Sequence, residues 1–158
     1  METVEMNKSM HLSEHFTLGE VTKTSVKTAD GNIPSRVAIE NLKNLCENWL
    51  EDLRYSHNTL YGEKDEPIII TSGYRSAEVN KAVGGSPTSN HLTGCAVDIR
   101  CAGFEQALRY ANILLDISDG TKQDYDELFI ERSKQGRYWI HFAVRPKDNR
   151  RKTSFIIS

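Results

Sequence analysis

His91 and Asp98 are the first residues in this sequence whose types and spacing suggest chemistry. They lie seven positions apart in the segment SNHLTGCAVDI. An extended segment of that length would separate the imidazole from the carboxylate by more than ~20 Å, which is too far to share a metal ion. Gly94 lies between them, and glycine readily adopts the backbone conformations that reverse a chain. We therefore predict a bend at Gly94 that brings the two side chains together.

His141, in the segment RYWIHFAV, is the best candidate for a third ligand. Strand alternation places it on the same sheet face as Trp139 and opposite a row of residues that should face the core. That row consists of Tyr138, Ile140, Phe142 and Val144. The same alternation puts Asp98 opposite the core face in CAVDIR and puts Glu131 on the face of His141 in YDELFIE. His91, Asp98 and His141 can therefore meet on one side of a sheet, with Glu131 beside them.

Two imidazoles, one carboxylate and an open fourth position are typical of a catalytic zinc site. We therefore predict one Zn²⁺ per chain; the alternative is that these are ordinary surface residues. A structural zinc site would more often use cysteines, and the three present, Cys46, Cys95 and Cys101, form no CxxC pair. We expect these cysteines to be small buried side chains.

The remaining histidines are weaker candidates. The segment HLSEH (residues 11–15) matches a reversed zinc-protease motif, but that chemistry needs a stable helix. We predict instead that residues 1–15 form a loosely ordered tail, followed by a helix that begins after Thr17. His57 lies in a polar stretch that we expect to be a solvated connection.

The segment SNHLTGCAVD resembles the S-x-H-x-x-G-x-A-x-D signature of the zinc D-alanyl-D-alanine peptidases, the M15 peptidase family, which includes phage endolysins. TSGYRS (71–76) is similar to the arginine-bearing segment of that family, and WIH is similar to its third-ligand segment. The resemblance covers roughly residues 15–145 and is strongest to the bacterial and phage branch. The zinc-containing hedgehog signalling domain is similar in arrangement, although it has no established peptidase role.

The resemblance implies zinc bound by His91, Asp98 and His141, a substrate-contacting Arg75 and an acidic general base. Several members carry Glu-x-x-His or His-x-His near the last ligand, whereas Tyr138 and Trp139 occupy those positions here. We therefore predict Glu131 as the base, with Asp126 as the second candidate.

Further residues are expected to assist. Ser89 should fix the loop that aims His91, and Tyr74 and Trp139 are candidates for lining the substrate cleft. Arg75 would bind a terminal carboxylate or stabilise an oxyanion. Each of these residues has a simpler interpretation in packing, capping or ion pairing.

The pattern of elements predicts an α+β domain over residues 16–158, with a mainly antiparallel sheet and helices packed on one face. Ser35 should cap an amphipathic helix of about five turns, because apolar residues recur at threes and fours after it. Strands are expected at 67–72, in CAVDIR, at 125–131, at 137–144 and in TSFII, with helices from Ser76 and over 104–117.

Composition narrows the function classes. The net charge of -2 and the lack of a long basic block argue against a nucleic-acid partner, and the short apolar runs argue against a membrane span. The start of the sequence lacks the features of a secretory signal. We therefore expect a cytoplasmic monomer that acts on the cell wall after release or export by another route.

Three functional hypotheses remain. The first is a zinc metallopeptidase, either a D-Ala-D-Ala carboxypeptidase or an endopeptidase, that cuts peptidoglycan stem peptides at a bond involving a D-amino acid. The second is a zinc-containing binding module that recognises a wall peptide or protein without cleaving it. The third is a domain whose ligand-like residues are incidental.

Overall fold

The described residues, 6–62 and 64–158 of a computed structural model, form a five-stranded sheet with the order β1-β2-β4-β3-β5. The strands are β1 (Ile70–Ser72), β2 (Ala96–Cys101), β3 (Glu127–Arg132), β4 (Tyr138–Ala143) and β5 (Lys152–Ile157). Neighbouring strands are antiparallel, except that β3 and β5 are parallel. The predicted α+β class with a mainly antiparallel sheet is confirmed.

The α-helices within the described ranges are α1 (Leu18–Val21), α2 (Arg36–Leu45), α3 (Glu51–Tyr61), α4 (Ala77–Ala82) and α5 (Phe104–Thr121). Three of them begin where predicted, each after a residue whose side chain caps the helix: Thr17 forms a capping box with Glu20, Ser35 accepts from the Ala38 amide, and Ser76 caps α4. None of the helices in this part of the chain combines the length and apolar character needed to cross a bilayer.

The helices pack on one face of the sheet, where alternate residues of the central strands are apolar. Ile99 of β2 and both Ile140 and Phe142 of β4 are buried there. Trp49 packs on Phe142 with ring centroids 5.1 Å apart. Burying a side chain of this size contributes about 1.5–3 kcal/mol. This core fixes the orientation of β2 and β4, so their other residues, including His141, lie on the opposite face.

The helix that follows Ser35 runs further than predicted. A π-helical stretch, Cys46–Leu50, joins α2 to α3, and the helix ends at Tyr61. The predicted surface position of His57 is therefore wrong. Its imidazole is buried in α3, with its ring centroid 4.9 Å from that of Tyr110, and burial lowers its pKa.

The N-terminal segment also differs from the prediction of a loose tail. Over residues 6–15 it is held against the domain: Leu12 is buried, and its amide donates to the Phe16 carbonyl over 2.9 Å. The Glu51 carboxylate accepts from Ser13 Oγ and pairs with His15 Nδ1, each over 2.6 Å. Residues 1–5 lie outside the described residues. Of the two histidines in HLSEH, His15 makes this docking contact, whereas His11 Nδ1 lies 3.2 Å from the Ser13 carbonyl oxygen of its own segment.

Candidate metal centre and active cleft

The bend predicted at Gly94 is present and brings His91 to Asp98. A short 3₁₀ helix, Asn90–Thr93, ends at Gly94, whose φ of 73° lies in the left-handed region. A Cβ at this position would lie 2.4 Å from the Ala38 carbonyl oxygen of α2, so only glycine fits. The reversal leaves His91 Nε2 3.4 Å from Asp98 Oδ1.

Strand pairing adds the second imidazole. Asp98 of β2 lies directly opposite His141 of β4 in the sheet register. His141 Nδ1 is 3.1 Å from Asp98 Oδ1, the same oxygen that His91 approaches. One ligand atom from each of these three residues lies within 4.8 Å of the others, and they form the metal-type cluster found within the described ranges. The predicted ligand set is therefore brought together.

The outer nitrogen of each imidazole has its own partner. His91 Nδ1 lies 2.6 Å from the Gly73 carbonyl oxygen, to which it can only donate. His141 Nε2 lies 3.0 Å from Glu127 Oε1 and donates to that carboxylate. Because the outer nitrogens carry the protons, neutral imidazoles present lone pairs to a negatively charged oxygen of Asp98. Lone pairs so close together repel one another unless a cation or a proton lies between them, and histidines held by such outer contacts are typical of metal ligands.

The charges around the cluster favour a positive charge between His91, Asp98 and His141. Burial alone would lower the pKa of His141, but hydrogen bonds to Asp98 and Glu127 raise it to about 9. Burial alone would raise the pKa of Asp98, but the two histidines beside it, which favour its charged form, hold it well below its usual range. The cluster can therefore hold a cation, and its two imidazoles and carboxylate are donors that suit Zn²⁺.

Arg75, predicted to contact the substrate, lies beside this cluster. Its Nη2 is 3.4 Å from Asp98 Oδ2, the oxygen turned away from the histidines. Its Nε donates to Ser72 Oγ over 3.2 Å, and its backbone amide donates to the His91 carbonyl over 3.0 Å. The guanidinium also borders the cleft described next. Arg75 therefore both neutralises Asp98 and offers donors to a ligand.

A cleft of about 710 Å³ opens over the cluster on the face of the sheet opposite the core. Ser89, Trp139 and Glu131 border it, together with the three cluster residues. Ser89 Oγ accepts from the His91 amide over 3.2 Å, which matches its predicted role in fixing the loop. Trp139 Nε1 donates to Glu131 Oε2 over 2.8 Å. Burial and the nearby Asp98 charge raise the pKa of Glu131.

Two other predicted residues lie away from the cleft. Tyr74 is not among its lining residues and packs instead against the apolar core. Asp126, the second candidate for the base, has a fully buried side chain that accepts from Nε and Nη2 of Arg150, at 2.9 and 2.7 Å. Burial alone would raise the pKa of Asp126, but this ion pair and Asn90 hold it well below its usual range. A carboxylate so strongly stabilised in its charged form is a poor proton acceptor.

Sequence reasoning missed three residues that support the cluster: Glu127, Asn90 and Gly73. Asn90 Nδ2 donates to Glu127 Oε1 over 2.6 Å and to Asp126 Oδ2 over 2.7 Å, which anchors the partner of His141. A Cβ on Gly73 would lie 2.1 Å from the Val21 carbonyl oxygen, so glycine is required where its own carbonyl meets His91. The signal for Glu127 was available, because strand alternation puts it on the same face as Glu131.

The comparisons with known proteins agree with this geometry. The α+β fold and the cluster define a domain whose open cleft contains side chains able to hold a metal ion. The peptidase M15 family model matches residues 14–126, and the chain belongs to that family. The matched range contains Arg75, His91 and Asp98, and it ends before Glu131 and His141.

The chain is also similar to the zinc D-Ala-D-Ala carboxypeptidase of Streptomyces albus G. The two are 27% identical over 131 residues, which cover 79% of this chain and 48% of the relative. The chain thus spans about half the length of that curated relative.

Proposed function

We propose that this chain is a zinc metallopeptidase that hydrolyses peptidoglycan stem peptides at a bond involving a D-amino acid. The observation that carries the proposal is the His91–Asp98–His141 cluster, which opens into a cleft also bordered by Glu131 and Arg75. Membership of the peptidase M15 family and the likeness to a zinc D-Ala-D-Ala carboxypeptidase support the choice of metal and substrate.

Zinc at this position would be held by His91 Nε2, His141 Nδ1 and Asp98, and it would supply Lewis acidity toward the scissile carbonyl and the attacking water. Contacts within the protein fix which nitrogen of each imidazole carries the proton. Gly73 and Glu127 hold the outer imidazole protons, so the inner nitrogens are free to ligate.

Glu131 is the general base in this proposal. It accepts a proton from the attacking water and returns it to the leaving amine nitrogen. Its raised pKa suits both transfers, since a carboxylate with a higher pKa is a better acceptor at neutral pH. The indole hydrogen bond from Trp139 occupies Oε2 and leaves Oε1 available for the proton.

Arg75 is the substrate-binding cation. Its guanidinium is always charged and presents a fork of donors that matches a carboxylate or an oxyanion. Its contact with Asp98 Oδ2 holds it at the edge of the cluster. We assign it to the terminal carboxylate of the substrate or to the developing oxyanion.

The test is digestion of purified peptidoglycan with zinc-loaded protein, followed by mass spectrometry of the released fragments. We expect a free D-amino acid from a carboxypeptidase or larger peptides from an endopeptidase. Glu131→Gln should reduce turnover at least about 100-fold while retaining one zinc per chain by elemental analysis. Glu40→Gln, on the exposed face of α2, is the matched control and should retain both.

The outcomes separate the hypotheses. Zinc binding without fragments from any wall preparation would replace the peptidase with the binding-module hypothesis. Loss of turnover in a folded Asp126→Asn protein, with Glu131→Gln active, would move the base to Asp126. Absence of stoichiometric zinc after mild purification would remove both zinc-dependent functions.

A further inference from the structure

A second cleft, of about 580 Å³, adjoins the active cleft along the same face of the sheet. The two clefts share Asp98 and Trp139 as lining residues. The second cleft is also bordered by Arg100 and Arg137, neither of which the peptidase proposal uses. A ligand that lies over the metal cluster can therefore continue past Trp139 into this second cleft.

The sheet register puts these residues in a fixed order from the cluster. Asp98 pairs with His141, and two residues further along β2, Arg100 pairs with Trp139. Arg137 precedes Trp139 by two residues, just before β4 begins, and it borders the same cleft as Trp139 and Arg100. Each two-residue step along a strand is about 6.8 Å. The two arginines thus lie about one and two steps away from the cluster.

Both arginines are exposed, and neither forms an ion pair with a carboxylate in the described part of the chain. The arginines bordering the active cleft differ in this respect. Arg75 pairs with Asp98, while Arg145 and Arg150 both pair with Asp126. The guanidinium donors of the second cleft therefore remain available to a ligand carboxylate, which they can bind through paired hydrogen bonds.

We propose that this arginine groove, defined by Arg100, Arg137 and Trp139, is a substrate subsite for a side-chain carboxylate of the peptide. An extended peptide rises about 3.3 Å per residue, so the carboxylate lies about two to four residues from the bond over the metal cluster. The inference rests on the proposed peptidase function and extends it to the substrate class: an acidic peptide that spans both clefts.

The experiment compares two stem peptides that differ only in one group, a free side-chain carboxylate or its carboxamide. Binding is measured by calorimetry with zinc-loaded Glu131→Gln protein, so that hydrolysis does not interfere. We expect the carboxylate peptide to bind about 10-fold or more tightly than the amide. Adding Arg100→Gln and Arg137→Gln should bring this ratio close to one. Adding Arg36→Gln, an exposed position bordering neither cleft, should leave the ratio unchanged.

Equal affinity for the two peptides, or a ratio that survives both substitutions in a protein with an unchanged unfolding temperature, would overturn the subsite. Failure of either peptide to bind would also overturn it. The wild-type digestion distinguishes this failure from that of the proposed function. Cleavage without carboxylate preference leaves the peptidase and removes the groove; preference without cleavage leaves the groove as part of a peptide-binding module.

Discussion

At the scale of single residues, the cluster depends on groups that do not themselves touch the metal position. Glu127 is the clearest case, because its carboxylate accepts from His141 Nε2 and is itself anchored by Asn90. Its pKa is lowered: burial would raise it, but the hydrogen bonds from His141 and Asn90 outweigh that effect. Glu127 therefore stays charged and keeps the ring of His141 in one orientation.

Glu127→Gln should weaken zinc binding by about 10- to 100-fold, because the neutral amide supports the imidazole less strongly. Competition with a chromophoric chelator measures the affinity. Glu40→Gln, exposed on α2, serves as the control and should bind zinc like the wild type. An unchanged affinity in Glu127→Gln would show that the contact with His141 does not tune the ligand.

A second prediction for single residues concerns Asp126, whose carboxylate is buried. The folded-state pKa of Asp126 is lowered, so it lies below the unfolded value of about 3.9. Its stabilising effect is therefore fully present above that pH and is lost as the pH falls through the folded value. Asp126→Asn should cost about 3 kcal/mol of unfolding free energy at pH 7, because Arg150 and Arg145 lose a buried partner.

Urea unfolding at pH 7 and at pH 3 measures this cost, which should shrink at the lower pH because Asp126 of the unfolded chain is then largely protonated while the folded carboxylate stays charged. Asp116→Asn, at an exposed position of α5, is the control and should have little effect at either pH. A cost that is the same at both pH values would mean that shape rather than charge is responsible.

At the scale of elements, the site depends on a tight contact between α2 and the turn after the 3₁₀ helix. Gly94 and Gly84 share the same φ of +73°, but their surroundings differ. A Cβ on Gly94 would collide with the Ala38 carbonyl, whereas a Cβ on Gly84 would meet nothing within 4 Å. Comparing alanine substitutions at the two glycines therefore distinguishes the cost of backbone strain from the cost of a clash between two elements.

Gly84→Ala should cost about 1 kcal/mol, which is the strain of the left-handed conformation alone. Gly94→Ala should cost about 2–5 kcal/mol, because the clash with α2 is added. It should also weaken zinc binding, since the turn aims His91. Urea unfolding and chelator competition give the two values, and equal costs for the two variants would contradict the packing argument.

At the scale of the whole molecule, the metal should act as a link between the middle of the chain and its late strands. His91 follows α4, whereas His141 lies on a late strand, so a bound ion joins segments that are distant in sequence. A ligand that binds only the folded state stabilises it in proportion to the logarithm of its concentration. Zinc at 100 times its dissociation constant should add about 2.7 kcal/mol.

Thermal unfolding with and without a chelator measures this effect. For a domain of this size the shift should be about 5–10 °C, and Asp98→Ala should abolish it. A zinc-dependent shift that persists in Asp98→Ala would place the stabilising ion elsewhere in the protein.

Much of this molecule was predictable because its causes are local in sequence. The caps Thr17, Ser35 and Ser76 act on amides within three residues. The bend at Gly94 needs only one left-handed residue, and the period of two in β2 and β4 assigns a face to each side chain. These rules were sufficient to predict the cluster of His91, Asp98 and His141.

The features that sequence analysis missed depend on contacts between distant segments. His57 is buried because α3 packs against α5. Residues 6–15 are held in place because Glu51 binds Ser13 and His15. Asn90 donates a hydrogen bond to Glu127, 37 residues later in the sequence, and Asp126 forms an ion pair with Arg150, 24 residues away. Chain periodicity carries no information about such partners. Residue types and their spacing were enough to predict which three side chains cluster and the face on which they lie. The charges that support the cluster follow from tertiary packing, because burial and ion pairing depend on contacts between distant segments.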